Sequence, residues 1–475
     1  MDQWTFELAG GDRPLFLRLA DAVARDIRRG RLAPGDRLPG SRRVADQLGL
    51  HRNTVLAAWR ELEREGWIET EAARGTFVAR TLPELEVATR SRSSREAGFD
   101  VEAVATDWSP RPKGALPLLG GLPDLRHLPR TAIARAYRRA LRRKGILDYG
   151  DPAGDPGLRR ALAGRLAAAR GLAVEPDAIL VTRGSQMAFE LVARAMLRPG
   201  DRVAVEALGY RPAWRALGSS GAELVPIRVD EQGIDVDRLE AALAEGPLRA
   251  IYLTPHHQYP TTATLSPARR MRLLRLAARH RVAVIEDDYD HEFHYEGRPV
   301  LPLGARDDHG VVIHVGTLSK VLAPAFRIGW VVAPSPLHDA LVGARTFIDR
   351  MGDPAIEHAV GELIEEGELH RHTLRARRRY RRRRDAMVEL LTEAFGDRLR
   401  FRVPRGGMAL WARARGVDVD EWARRAEDMG VIVQSSRLFT FRGRPRRAVR
   451  LGYAALEPDE LREAVRRLRR AWPGA

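Results

Sequence analysis

The stretch "VVIHVGTLSK", residues 311–320, joins two kinds of sequence. Its first half is an apolar run of the sort that forms a strand buried on both faces. Its second half is small and polar and ends in Lys320. The chain carries 80 Lys and Arg, yet only Lys113, Lys144 and Lys320 are lysines. Arginine keeps its proton near neutrality, whereas a lysine amine can lose it and attack a carbonyl. A lysine retained directly after a buried strand is a candidate nucleophile.

Outward from this stretch, further apolar runs alternate with helical segments: "AILVT" (178–182), "RVAVE" (202–206), "AELVPI" (222–227), "RAIYLT" (249–254), "VAVIE" (282–286) and "IGWVVA" (328–333). Such alternation predicts an α/β domain on a mostly parallel sheet. Chemistry in such sheets collects at the carboxyl ends of the strands. There the sequence offers Asp287, Asp288 and Tyr289 after one strand, and Gly316, Thr317, Ser319, Lys320 and then Arg327 after another. After "AILVT" come Gly184, Ser185 and Gln186. They open a helix whose Ala188, Leu191, Val192 and Ala195 are expected to face the core. A helix N-terminus behind a glycine is an anion cradle. An anion site, a carboxylate, hydroxyls, an amine and a guanidinium match the needs of pyridoxal 5′-phosphate.

The first eighty residues read differently. In "PLFLRLADAVARDIRRGRLAPGDRLP", Leu15, Leu19, Val23 and Ile27 form one helical stripe. "SRRVADQLGL" predicts a short helix with Ser41 as N-cap and Gly49 as its stop. "HRNTVLAAWRELEREG" predicts a second helix with Val55, Ala58, Trp59 and Leu62 inward and Gly66 at its end. Two helices about a glycine turn form a helix-turn-helix, and "WIETEAARGTFVA" adds a β-wing. Arg52, Asn53 and Thr54 stand at the helix end that enters a major groove, while Ser41, Arg42, Arg43, Arg74 and Gly75 are placed for the backbone. Double-stranded DNA is the expected partner.

The bulk numbers set limits. A chain of 475 residues, 44% hydrophobic and 30% charged, has room for two or three domains. No run approaches 18 consecutive apolar residues, and the N-terminus lacks a basic start and an apolar core. A membrane span and a signal peptide are therefore not expected, and the cytoplasm is the expected location. Without cysteine there is no disulfide and no thiolate site. The net charge of +17 is carried by arginine throughout; residues 1–80 hold 14 Arg against 12 Asp and Glu, only +2. The expected divisions are a winged helix-turn-helix (1–80), a linker (81–113) with a short helix near 100–106, and a domain over 114–475. That domain divides into a large part, about 146–345, and a small part, about 346–475.

Residues 13–80 resemble the winged helix-turn-helix of GntR-type repressors. Residues 115–475, with "YGDPAGDPGLRRALAGRLAAARGL", "TPHHQYP", "IEDDYDHEFHY" and "GTLSK", resemble a fold-type I aminotransferase. Together they resemble the MocR family of regulators, of the GabR/PdxR type. The resemblance implies Lys320 as the Schiff-base lysine, Asp287 as partner of the pyridine nitrogen and Tyr289 as partner of the ring hydroxyl. It implies Tyr210 stacked on the ring, Gly184, Ser185, Gln186, Thr317, Ser319 and Arg327 around the phosphate, and His257 and Gln258 on the ring's oxygen side. Tyr149 is implied to reach the cofactor of a neighbouring subunit, in a head-to-tail, domain-swapped homodimer bound to paired half-sites.

Amino-acid-binding members are expected to carry a carboxylate-binding arginine in the segment matching "LGYAALEPDEL", where this chain has Ala454 and Ala455. Leu208 and Thr262 stand where proline and glycine are usual, and Pro212 replaces a second ligand arginine. Arg437 or Arg442 is left as a substitute. These departures favour pyridoxal phosphate itself as effector over an amine or amino acid, and a regulator over a working aminotransferase. Two motifs remain. The arginines of "RARRRYRRRRDAM", between Arg375 and Arg384, are read as a solvated helix face or a DNA contact. "HEFH" (His291, Glu292, His294) lacks the i, i+4 spacing of helical zinc motifs, so no metal is expected.

Overall fold

In the N-terminal segment, apolar spacing of three and four residues builds helices α1 (Leu15–Arg28), α2 (Ser41–Leu48) and α3 (Arg52–Arg64), followed by strands β1 (Ile68–Glu71) and β2 (Gly75–Val78). The computed structural model describes residues 6–8, 13–83, 100, 112–297, 300–442 and 446–474. The chain divides into two units, Met1–Trp108 and Ser109–Ala475. Most of the expected linker, including the helix near 100–106, lies outside the described residues.

In the first unit, Leu19, Val23, Ile27, Val55, Ala58, Trp59 and Leu62 are buried together with Trp67. Leu15, expected on the same stripe, is instead 37% exposed at the open first turn. Gly49 closes α2 with φ of 65°, a left-handed conformation that glycine adopts without strain. The cap at the other end differs from expectation: Gly40 is the N-cap, and Ser41 is already helical and makes no capping bond. His51 caps α3, its Nδ1 accepting from the Asn53 amide at 3.2 Å. The wing strands pair antiparallel, Ile68 opposite Val78.

The second unit is built on seven strands: β3 (Ile179–Thr182), β4 (Arg202–Glu206), β5 (Glu223–Ile227), β6 (Ala250–Leu253), β7 (Ala283–Asp288), β8 (Val312–Thr317) and β9 (Gly329–Val332). Their order is β3-β9-β8-β7-β6-β4-β5. All neighbours are parallel except around β9, which runs antiparallel to both β8 and β3. β3, β6 and β8 are buried at every position, because helices cover both faces. On one face lie α4 (Ser185–Met196) and α5 (Arg211–Gly218), with Ala188, Leu191 and Val192 in the core and Ala195 at its margin. A smaller antiparallel sheet combines β10 (Leu399–Phe401), β11 (Ala409–Ala414), β12 (Gln434–Ser435) and β13 (Ala448–Gly452) in the order β10-β11-β13-β12.

The arginine run lies on α6 (Glu368–Phe395) and is not one face. Arg375, Arg377, Arg378, Arg381 and Arg382 are exposed. Arg383 and Arg384 are buried, Arg383 on Asp124 at 2.8 Å and Arg384 on Glu296 at 2.7 Å. Among the described residues, no helix is long and apolar enough to cross a membrane.

Close packing at β8 can be tested by two glycines. A Cβ on Gly316 would lie 2.2 Å from the Trp330 ring, whereas one on Gly164, within the helix Pro156–Arg170, meets nothing within 4 Å. We expect Gly316→Ala to lose about 1–3 kcal/mol by overpacking. Gly164→Ala should gain about 0.4–1 kcal/mol by restricting the unfolded chain. Urea denaturation of both variants checks the opposite signs.

Candidate functional site

In the first unit, the residues read as DNA-facing gather at two helix starts and the wing. Arg42, Arg43, Arg52 and Asn53 are exposed, and Ser41 and Thr54 half-buried. The Arg52 Nε donates to Ser41 Oγ at 3.4 Å, tying the start of α3 to that of α2. Arg74 pairs with Glu71 at the wing turn. Gly75 follows with φ of 120°, and Arg37 lies 3.1 Å from where a Cβ would stand. The result is a cationic surface at the amino end of a helix, suited to phosphates.

In the second unit, the register of the parallel strands builds the other site. Asp287 lies opposite Val315 and Asp288 opposite Gly316, so the carboxyl ends of β7 and β8 finish side by side. Antiparallel β9 sets Gly329 opposite both Thr317 and Thr182. A cavity of ≈ 200 Å³ opens at this edge, lined by Asp287 and Tyr289 from β7, Thr317, Ser319 and Lys320 from β8, and Ser185 and Gln186 from α4. Tyr210 and Arg327 complete the part expected from sequence.

Asp287 is 5% exposed. Its Oδ2 accepts from the Tyr252 hydroxyl at 2.9 Å, and its Oδ1 is buried without a partner. Burial pushes its carboxyl up to about 7, with Tyr252 holding it back and Asp288 adding to the rise. Burial also lowers the Lys320 amine, helped by the Arg450 charge and opposed by Asp287. The two groups therefore approach their neutral forms from opposite sides.

The cradle at α4 is equally specific. Gly184 has φ of 79° and its helix has no side-chain cap, so the first N–H groups are open. Arg327 donates to the Arg183 carbonyl at 2.6 Å. A Cβ on Gly184 would stand 3.0 Å from Arg327 Nη2, so glycine is what admits the guanidinium. Thr317 and Ser319 share a hydroxyl bond at 3.0 Å. The Tyr289 hydroxyl donates to the His257 carbonyl at 2.9 Å. Burial pushes the Tyr210 hydroxyl up to about 12, and its ring meets Tyr259 edge-on at 5.4 Å.

Four expected residues do not line the cavity. Gly184 stands behind Arg327; His257 turns its Nδ1 to Asp290 Oδ1 at 2.8 Å; Gln258 donates to the Leu208 carbonyl at 2.7 Å. Tyr149 is 72% exposed, with Arg350 stacked 4.3 Å over its ring.

Sequence reading missed Gly120, Gly121 and Tyr259, which line the cavity, and two buried groups beside it. Glu206, accepting from Thr254 Oγ1 at 2.8 Å, is pushed up to about 8 by burial. Arg450 in β13 is 1% exposed and lies 4.0 Å over the Tyr259 ring, with Nε and Nη1 unpartnered. This corrects the expectation that the region supplies no arginine. The guanidinium comes from "AVRLG", just before "YAAL", while the Ala455 carbonyl merely accepts from Arg126 at 2.8 Å. A charged residue inside an apolar strand was the available signal. The suggested substitutes are elsewhere: Arg437 pairs with Asp420 at 2.7 Å and Arg442 stacks on Phe441. Thr262 holds φ of 63°, a conformation suited to glycine.

Comparison with known proteins gives a family for each unit. Residues 120–468 match the family described as aminotransferase class I and II, and residues 15–78 match the bacterial regulatory proteins of the gntR family. The probable rhizopine catabolism regulatory protein MocR of Rhizobium meliloti is 32% identical, over 97% of this chain and 94% of its own. The pyridoxine biosynthesis transcriptional regulator PdxR of Corynebacterium glutamicum is 32% identical, over 81% of this chain and 80% of its own. The multiple substrate aminotransferase of Thermococcus profundus matches 76% of this chain and 91% of its own, with a TM-score of 0.71 and 32% identity. Pyrococcus horikoshii kynurenine aminotransferase, solved with PMP, matches 75% of this chain and 90% of its own at a TM-score of 0.70 and 31% identity.

Pyridoxal phosphate is the cofactor of this fold, and the cavity fits it. Asp287 Oδ1 is an unused acceptor, Lys320 an amine biased toward neutrality, and α4 with Arg327 an anion cradle.

The raised carboxyl has a measurable consequence in cofactor-free protein. Between about pH 4 and 7 the folded Asp287 keeps a proton that the unfolded chain has lost. Its contribution therefore makes stability fall as pH rises through that window, by up to about 4 kcal/mol. We expect Asp287→Asn to flatten this part of the stability–pH curve, measured by denaturant unfolding at pH 5 and pH 7.5. Parallel curves for the two proteins would contradict the burial.

Proposed function

The chain belongs to the aminotransferase class I and II family and carries a gntR-type head, and from this we propose that it is a transcription regulator whose aminotransferase-fold unit binds pyridoxal phosphate and reads a small ligand. One observation carries the reading: a cationic helix start in a gntR-type head and the Lys320–Asp287 cavity occur in one chain, which is similar over most of its length to transcription regulators.

When bound, pyridoxal phosphate supplies an aldehyde carbon open to an amine and a pyridine ring that withdraws electrons. Lys320 presents the amine, and its lowered pKa keeps a share of it unprotonated. Asp287 Oδ1 would accept a hydrogen bond from the protonated ring nitrogen and so keep it charged, while Tyr252 fixes the other oxygen. Ser185, Gln186, Thr317, Ser319 and Arg327 would hold the phosphate, and Tyr210, lining the same cavity, would cover a ring face. Tyr289 orients the ring hydroxyl and is itself oriented by the His257 carbonyl. Gln258 acts through the loop, bonding the Leu208 and Tyr259 carbonyls.

Arg450 shifts the balance among effectors. A buried guanidinium with two unpartnered nitrogens is suited to a bidentate carboxylate, so the effector is an amino acid or another amine with a carboxylate, acting with the cofactor. The chain acts as a homodimer on paired half-sites, with exposed Tyr149 reaching the partner's cavity. Ligand binding changes the spacing of the two heads, on which affinity for paired half-sites depends. Target genes belong to vitamin B6 or amino-acid metabolism. The same arginine keeps a second reading in play, a working aminotransferase; single-turnover conversion of the cofactor to its amine form by an amino-acid panel would favour it.

Genome-wide mapping of bound DNA supplies the operator for two tests. Fluorescence anisotropy on that DNA should show an affinity change when pyridoxal phosphate and an amino-acid panel are added. The change should be lost in Lys320→Ala and, for the amino-acid part, in Arg450→Ala. Unchanged affinity across all additions would contradict the sensor role. Separately, Arg42→Ala and Arg43→Ala should each reduce the salt slope of binding by about 1 if they contact phosphates.

A further inference from the structure

The tertiary structure brings together histidines that the sequence keeps apart. One ring nitrogen from each of His256, His257 and His294 lies within 4.8 Å of the other two. The His256 ring is 4.3 Å from that of His257, 5.9 Å from His294 and 4.7 Å from His291, between centroids. His256 is 6% exposed, and both its nitrogens are buried without a hydrogen-bond partner. Both nitrogens of His294 and Nδ1 of His291 are in the same condition. Buried polar atoms are nearly always satisfied, so several unpartnered imidazole nitrogens converging on one point need a common partner.

We propose that this cluster is a metal site, with His256, His257 and His294 as ligands to a divalent transition ion of the Zn²⁺ class. The donor set is three imidazoles, which suits zinc, cobalt, nickel or copper rather than magnesium or calcium. His257 gives its Nδ1 to Asp290 Oδ1 at 2.8 Å and so leaves Nε2 for the ion. A carboxylate behind a ligating imidazole fixes the ring and strengthens its lone pair. Zinc–nitrogen bonds of about 2.0–2.1 Å require the rings to close in by roughly 1 Å, which side-chain rotation supplies.

The charges around the cluster are mixed. Arg405 bears on His294, and Arg170 and Arg165 neutralise Glu292 and Asp288. Asp290, 2% exposed and with Oδ2 unpartnered, is the carboxylate left to balance a dication. The "HEFH" motif thus contributes its second histidine, while its glutamate is held by Arg165 and Arg170. The site adjoins the cofactor cavity, because the His257 carbonyl accepts the Tyr289 hydroxyl. The inference stands on these side chains alone and does not depend on the regulator reading.

The test uses full-length protein without a histidine tag, stripped by chelator and titrated with Zn²⁺ by calorimetry and with Co²⁺ by visible absorbance. One ion per chain is expected. His256→Gln and His294→Gln should each weaken binding by more than ~100-fold, beyond the ~10–100-fold typical of losing an outer partner. Lys320→Ala should bind as tightly as the parent chain, which separates this site from the cofactor. X-ray absorption on the zinc-loaded parent protein should show imidazole ligation and needs no variant to fold. No stoichiometric binding, ligation without imidazole, or loss of binding on His127→Gln at the Asp124–His127–Glu457 cluster would overturn the proposal.

Discussion

Two ionisable side chains of opposite sign line one buried cavity, and the rest of the second unit holds them there. The parallel register of β7 on β8 sets Asp287 beside Val315 and delivers Lys320 just beyond the strand end. Burial drives the carboxyl up and the amine down, so each group loses part of the charge it would carry in water. Such an arrangement is costly unless something completes it, since buried charges need partners. The unpartnered Asp287 Oδ1 marks where the partner belongs. A cationic ring nitrogen and an aldehyde answer both needs at once.

Rigid surroundings keep that geometry. Tyr252, fully buried in β6, fixes one Asp287 oxygen, and the Trp330 ring fills the space beside Gly316. Glu206, raised by burial and bonded to Thr254, anchors the loop that carries Gln258 and Tyr259. Through the Tyr289–His257 bond, the cavity wall is continuous with the histidine cluster.

What could be read from the sequence follows from how each feature is encoded. The seven strands of the large sheet were legible, because strands buried on both faces read as unbroken Val, Ile and Leu. The reversed direction of β9 was not, since strand direction depends on connections that local sequence does not carry. Asp287, Tyr289, Thr317, Ser319 and Lys320 were legible because they stand at or just beyond the carboxyl ends of strands. Arg450, Gly120 and Tyr259 reach the site from other elements, and no local pattern announces that. Ser41 resembled a cap by residue type, but the turn places Gly40 there. The histidine cluster was not legible for the same reason as Arg450: a helix and a strand separate His256 from the "HEFH" motif, and the two meet only through the fold.

The claim on which the account rests is that the Lys320 amine bonds covalently to pyridoxal phosphate. The direct measurement is borohydride reduction of cofactor-loaded protein, followed by proteolysis and mass spectrometry. The account predicts one phosphopyridoxyl group per chain, on the peptide containing Lys320. A reduced protein without that group, or with it spread over Lys113 and Lys144, would contradict it.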